Sequence, residues 1–338
     1  MRLTIKLAVA ISLLGLLIYM INWPDTAAAI RNIDVRWIAA ALLVSMAGNV
    51  ISAEKWRGLL GASGIGISLG LAARLYWIGS FFSNFLPTSI GGDAVRLLLT
   101  PAPGRRQQVA GSIVIERTTG LMVLLVITGL GLAAAAWLVP RLSFDKPLLL
   151  PVSTLALATM TILLLPGCAA ALLTLIMARV PHVLRRPIRI AEQLARTIAG
   201  QVRNRGAILR ALALSVPFYA TVVLAQYCCL RAVGGQVPLE YALLFGASIQ
   251  LMAVLPISIN GLGVSEGAFV ALYAALGMPP SAAFAAAIMR RLVDLANSAI
   301  GGLLWLADHL AAGASPTRCT VSAMEQGRRA DVAPKFIA

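Results

Sequence analysis

Six apolar runs, near residues 5–22, 37–54, 118–138, 148–178, 211–230 and 282–308, are each long enough to cross about 30 Å of hydrocarbon as a helix rising about 1.5 Å per residue. Lipid offers no partner for a bare N–H or C=O, so each run must satisfy its own backbone. The expected fold class is therefore an all-α polytopic membrane protein. Composition agrees, with 59% of residues hydrophobic and 12% charged, against about 25% charged in an ordinary soluble domain. The chain holds 28 Lys and Arg against 13 Asp and Glu, a net charge of +15. In a membrane protein such an excess reports cytoplasmic loops and anionic lipid headgroups, and nucleic acid is not an expected partner.

Two further apolar stretches, residues 75–100 and 241–277, are broken in the middle by "LPTSIGG" and "LPISINGLG". A charge at the centre of a lipid-facing helix costs roughly 2.5 to 3.5 kcal/mol, so Asp93 and Arg96 within the first stretch need a compensating structure. Proline has no N–H and glycine tolerates any φ. Pro87 and Pro256, each followed by glycines, therefore read as structural breaks that end one half-helix and start another, with Thr88 or Ser89 capping the first new N-terminus.

Basic flanks orient these stretches. Lys55, Arg57 and Arg74 precede the first and Arg96, Arg105 and Arg106 follow it, so it enters and turns back as a re-entrant hairpin open to the cytoplasm. The second has few charges around it, and its flanks read as external. With the N-terminus inside, six spans return the C-terminus inside, and the basic region from Arg179 to Arg210 also falls in the cytoplasm.

Leu86, Pro87, Ser89 and Ile90 match Leu255, Pro256, Ser258 and Ile259, and in both places glycines and then an acid follow, Asp93 or Glu266. Downstream, "IVIERTTGLMVLL" aligns loosely with "AIMRRLVDLANSA", which sets Arg117 beside Arg291. The expected organisation is two repeat halves, about 37–140 and 207–312, inverted with respect to each other, as in transporters whose broken helices meet at the bilayer midplane. Free N–H groups and the positive end of a half-helix would then favour an anion such as a lipid phosphate, with Arg96 and Arg117 adding charge. The competing reading makes each break a packing kink and makes Asp93 with Arg96, and Arg291 with Asp294, local ion pairs. Glu116 and Arg117 point about 100° apart on a helix and cannot satisfy each other, so at least one takes a partner from elsewhere.

Between the halves, Ile190, Leu194, Ile198 and Val202 recur every four residues, with Arg189, Arg196 and Arg203 on the opposite side. The pattern predicts a basic cytoplasmic helix over about 181–206, either interfacial and bound to anionic lipid or simply solvated. Cys168, Cys228, Cys229 and Cys319 form no CxxC, and only His182 and His309 are available, so no metal or cofactor is expected and the cysteines read as small apolar side chains. Residues 1–29 have some features of a signal peptide, and a retained first span is the favoured reading.

At "NFLPTSIGGDAVR", "ERTTGL" and "LPISINGLGVSEGAFVALYAALG" the chain resembles the membrane domain of the lysylphosphatidylglycerol synthase family, also described as flippase-like integral membrane proteins. The resemblance extends over most of residues 1–312 and implies a flippase-like transmembrane domain that moves a charged or glycosylated lipid between leaflets. In fused members a soluble domain attaches an amino acid to the lipid headgroup. Residues 313–338 are expected as a disordered cytoplasmic tail, too short for such a domain.

The leading expectation is a lipid translocase of the bacterial inner membrane. Asn84, Ser89, Gly91, Gly92, Asp93 and Arg96 would bind the headgroup from one half and Ser258, Asn260, Gly261, Gly263 and Glu266 from the other, flanked by Glu116, Arg117 and Arg291. Expected ligands are membrane lipids, anionic or linked to polyprenyl phosphate. An enzyme is not expected, since no HExxH, GxSxG, P-loop or DxD pattern occurs and no catalytic residue is assigned. The alternative is a non-transporting subunit that scaffolds a lipid glycosyltransferase or another lipid-modifying partner. In a cysteine-free background, Pro103→Cys and Pro279→Cys are expected to react with a membrane-impermeant thiol reagent from opposite sides; labelling from one side would refute the inverted orientation.

Overall fold

The computed structural model describes residues 15, 23–85, 91–138, 182–254 and 259–313. Its regular elements are helices: α1 (Trp23–Arg31), α2 (Val35–Ala62), α3 (Leu69–Phe85), α4 (Gly91–Leu99), α5 (Arg106–Leu138), α6 (His182–Val202), α7 (Arg205–Ala232), α8 (Leu239–Val254), a 3-10 turn (Ile259–Gly261), α9 (Val264–Ala275) and α10 (Pro280–Gly313). The chain is an all-α protein, and the apolar runs near 37–54, 118–138, 211–230 and 282–308 lie within α2, α5, α7 and α10. The runs near 5–22 and 148–178 lie outside the described residues, as do Pro87, Ser89, Pro256 and Ser258.

Among the described residues, three helices are long and apolar enough to cross a membrane: Val35–Ala62, Arg106–Ala134 and Arg205–Ala232. Helix α10 matches them in length but carries Arg290, Arg291, Asp294 and Asp308.

Local chemistry sets the ends of α2 and α7 in the same way. Asp34 accepts a hydrogen bond from the Arg36 N–H at 2.9 Å, and Asn204 accepts one from the Ala207 N–H at 3.2 Å, each supplying an acceptor to an otherwise orphan donor. At the other end Gly64 and Gly234 take φ of 77° and 79°. The N–H of the residue after each glycine, Ile65 or Gly235, returns to the carbonyl of Leu60 or Leu230 at 2.9 Å. This is the Schellman closure, in which a left-handed residue lets the chain leave a helix with its last carbonyls satisfied.

Helix contacts come in pairs that exchange when one half is read for the other. Besides α2 against α7, helix α3 packs on α10 as α8 packs on α5. Likewise α2 meets α3 as α7 meets α8, and α4 meets α5 as α9 meets α10. The first arm of each broken stretch thus rests on the last long helix of the opposite half.

Missing side chains allow α3 to be gripped from two sides. A Cβ on Gly92 would overlap the Gly79 carbonyl oxygen and the Ser83 hydroxyl, and one on Gly301 would overlap the main chain of Trp77. Glycine's freedom to take positive φ is not used at Gly91 and Gly92, which begin α4 with helical geometry; Gly92 is required for close approach. The Trp77 indole N–H donates to Asn297 Oδ1 at 3.0 Å across the same α3–α10 seam.

The amphipathic pattern of α6 is realised, and protein covers its apolar side. Ile198 packs with Leu59, Ile115 and Ala211, joined by Leu194 and Val202, while Arg196 and Arg203 are exposed. Gln201 donates to Ser63 Oγ at 2.6 Å and to the Gln108 carbonyl at 2.9 Å. The side chains of Arg189 and Ile190 lie outside the described residues.

Gly301→Ala is expected to lower thermal stability in detergent by about 1–3 kcal/mol, because the clash is with main chain that cannot turn aside. Gly129→Ala meets nothing within 4 Å and is expected to be neutral or slightly stabilising in the same melting measurement.

Candidate functional site

In the first half, the acid of the break and the charges of α5 form one network. Arg96 on α4 has only 3% of its side chain exposed and bonds Glu116 Oε2 at 2.5 Å and Asp93 Oδ1 at 3.2 Å. Its guanidinium carbon sits 4.1 Å from the centroid of the Trp56 ring and 4.5 Å from that of Tyr76. Aromatic faces attract a cation most strongly where water is excluded. Trp56 is fixed in turn by its indole N–H, which donates to Ser112 Oγ at 3.1 Å.

Arg117 points away from Glu116, as adjacency on a helix requires, and takes Asp93 through Nε at 3.1 Å and Nη2 at 2.9 Å. Its side chain is 58% exposed. Asp93 therefore accepts from both arginines. Glu116 and Arg117 lie three turns into α5, where a span had been expected only to begin.

The second half repeats the pairing of a break acid with an α10 arginine. Arg291 reaches Glu266 Oε1 through Nη2 at 2.8 Å and Nε at 3.0 Å, and also donates to the Asn260 carbonyl at 3.2 Å. Glu266 turns its other oxygen back to the Gly263 N–H at 2.8 Å and the Ser265 hydroxyl at 3.0 Å. At the start of α9 this carboxylate satisfies the N–H of Gly263 and complements the helix dipole. The suggested Arg291–Asp294 pair is not formed: Asp294 pairs with Arg290, one turn away, because α10 directs Arg291 at Glu266.

Asn260 at φ 50°, Gly261 at 71° and Gly263 at 80° make the tight corner between α8 and α9. Asparagine and glycine are the residues that tolerate this left-handed region. The corner brings the Asn260 amide to donate to Asn84 Oδ1 at 2.8 Å, so the two broken stretches touch. Asn84, Asp93, Arg96, Glu116 and Arg117 thus form one side of the site and Asn260, Gly261, Gly263, Glu266 and Arg291 the other.

Sequence reasoning missed Lys55, Trp56 and Tyr76. Lys55 was read as part of a basic flank. It lies inside α2, 5% exposed, and donates to the Glu116 carbonyl at 2.8 Å. An ammonium and an indole within an apolar helix, in "SAEKW", were the available signal. Cys228 and Cys229 are buried free thiols, and Cys168 and Cys319 lie outside the described residues.

The model of the lysylphosphatidylglycerol synthase TM region matches residues 3–302. The chain belongs to that family. As a lysylphosphatidylglycerol synthase TM-region protein it is a multi-pass membrane protein related to lipid modification or transport. It is also similar to a UPF0104 membrane protein, PH1989, of Pyrococcus horikoshii, at 20% identity over 328 residues covering 90% of this chain and 97% of that one. No solved structure gives a significant match.

Removing one partner of a buried ion pair costs about 3–5 kcal/mol, because the other charge is stranded. Arg96→Met is expected to lower thermal stability by that order, and Arg96→Met with Glu116→Gln is expected to lie closer to the parent. Additive losses in a double-mutant cycle would show that the two residues act independently.

Proposed function

We propose that this chain is a lipid translocase, moving a phosphate-bearing, glycosylated or aminoacylated lipid between leaflets by alternating access. The reading places it in a bacterial inner membrane with both termini in the cytoplasm, and assigns it no catalytic step. The observation that carries it is the Asn84–Asn260 contact between the two broken stretches, flanked by the Asp93–Arg117 and Glu266–Arg291 pairs. Ionisable side chains within spanning segments are expensive and mark pathways. Two matched pairs at the meeting of two helix breaks are what a headgroup path requires.

The paired helix contacts support two exchangeable halves, and in an inverted arrangement one hairpin opens to each face. The site would then exchange sides as α3–α4 and α8–α9 shift against α10 and α5. Asp93 and Glu266 hold the arginines in place, and the exposed Arg117 is the group best placed to meet a headgroup.

Transfer of a fluorescent lipid between leaflets of reconstituted vesicles tests this. Arg117→Gln removes a charge-assisted contact worth roughly 1.5–3 kcal/mol, so apparent affinity is expected to fall about ten- to a hundredfold, with Arg117→Lys intermediate. Full activity of Arg117→Gln would refute a headgroup role for this residue. Where Arg117→Gln with Asp93→Asn instead recovers activity lost in either single variant, the pair is structural only. A scaffolding subunit would keep its partner binding and its biological role in all of these variants.

A further inference from the structure

The first-half cluster holds an extra positive charge. Its two carboxylates, Asp93 and Glu116, are taken by two arginines, Arg96 and Arg117. A third cation, Lys55, is buried beside them, and its one hydrogen bond goes to the main-chain carbonyl of Glu116 at 2.8 Å. An ammonium carries three donors, and among the described residues no carboxylate lies within ion-pair reach of this one.

The second half lacks this excess, since Arg290 pairs with Asp294 and Arg291 with Glu266. Lys55 stands nine residues before Gly64, and nine residues before Gly234 stands Ala225, fully buried. The helix pair therefore closes around alanine at one of these positions, and the fold has no general need for a charge there. A buried cation that forms no ion pair of its own is costly, and such a group in a spanning helix has a functional partner as its default explanation.

A Cβ at Gly120 would lie 3.4 Å from both Lys55 Nζ and Tyr219 Oη, so an ammonium and a hydroxyl border the place this glycine leaves without a side chain. On the outer side of the cluster Asp93 engages Nε and Nη2 of Arg117, and Nη1 has no hydrogen-bond partner among the described residues.

Building on the translocase reading, we infer that Lys55 and Arg117 form an anion site confined to the first half, and that the lipid it takes has a headgroup of net negative charge. A phosphate without a compensating amine supplies the missing counter-charge, whereas a zwitterionic or cationic headgroup brings its own cation into an already cationic site. The second half then contributes shape and a balanced ion pair.

Protein in phosphatidylcholine nanodiscs, titrated with dihexanoyl phosphatidylglycerol, dihexanoyl phosphatidylcholine and inorganic phosphate, tests the inference. The unsubstituted protein is expected to bind the glycerol lipid at least about tenfold more tightly than the choline lipid. Lys55→Met is expected to reduce that preference to roughly twofold and Lys55→Arg to keep most of it. Equal binding of the two lipids by the unsubstituted protein overturns the inference whether or not any variant folds. An undiminished preference in a folded Lys55→Met protein also overturns it. Inorganic phosphate binding as tightly as the glycerol lipid would assign the site to a free anion and overturn the lipid assignment. Intact lipid preference with no leaflet transfer in vesicles would instead refute translocation and leave the anion site standing.

Discussion

Arg96 is held between the faces of Trp56 and Tyr76 while its guanidinium bonds two carboxylates, and four helices converge on that one side chain. Trp56 comes from α2, Tyr76 from α3, Asp93 from α4 with Arg96 itself, and Glu116 from α5. A guanidinium can be planar against rings and bidentate toward oxygens at once, which an ammonium cannot. The arrangement explains how a half-helix of nine residues, α4, stays fixed against its neighbours. Its own backbone offers too few hydrogen bonds to hold it, and the buried arginine ties it to its neighbours.

Around this anchor the close approaches follow. Gly92 lets α4 come down on Gly79 of α3, and Gly301 lets α10 press on the other side of α3 near Trp77. Lipid supplies no hydrophobic drive between helices, so small residues at the contact and hydrogen bonds across it do the joining. The Trp77–Asn297 bond on α3–α10 and the Lys55–Glu116 bond on α2–α5 are of this kind.

Fold class and most helix positions were legible because apolar length in lipid admits few alternatives, and α2, α5, α7 and α10 follow from it. The alignment of Asp93 with Glu266 and Arg117 with Arg291 was legible too, and each acid pairs with its own arginine. Partner choice was not. Arg291 faced Asp294 equally well in sequence, and only the return of α9 toward α10 decides for Glu266. Lys55 was misread because a basic residue near a helix end looks the same whether it meets water or the Glu116 carbonyl. The Gly64 and Gly234 closures mark the repeat independently of the proline breaks, yet glycine in a loop carries little signal until its φ is known.

The crossing of α3 with α10 joins Trp77 to Asn297, 220 residues apart in the chain. A ribosome adding about 5–20 residues per second needs roughly 10–45 s to cover that distance. During that interval α3 has α2 and α4 to pack against, but Gly301 is not yet made and the Trp77 indole N–H has no Asn297 to bond. Completion of the first half is therefore an event of late synthesis, timed by arrival of the last long helix and not by insertion of its own segments.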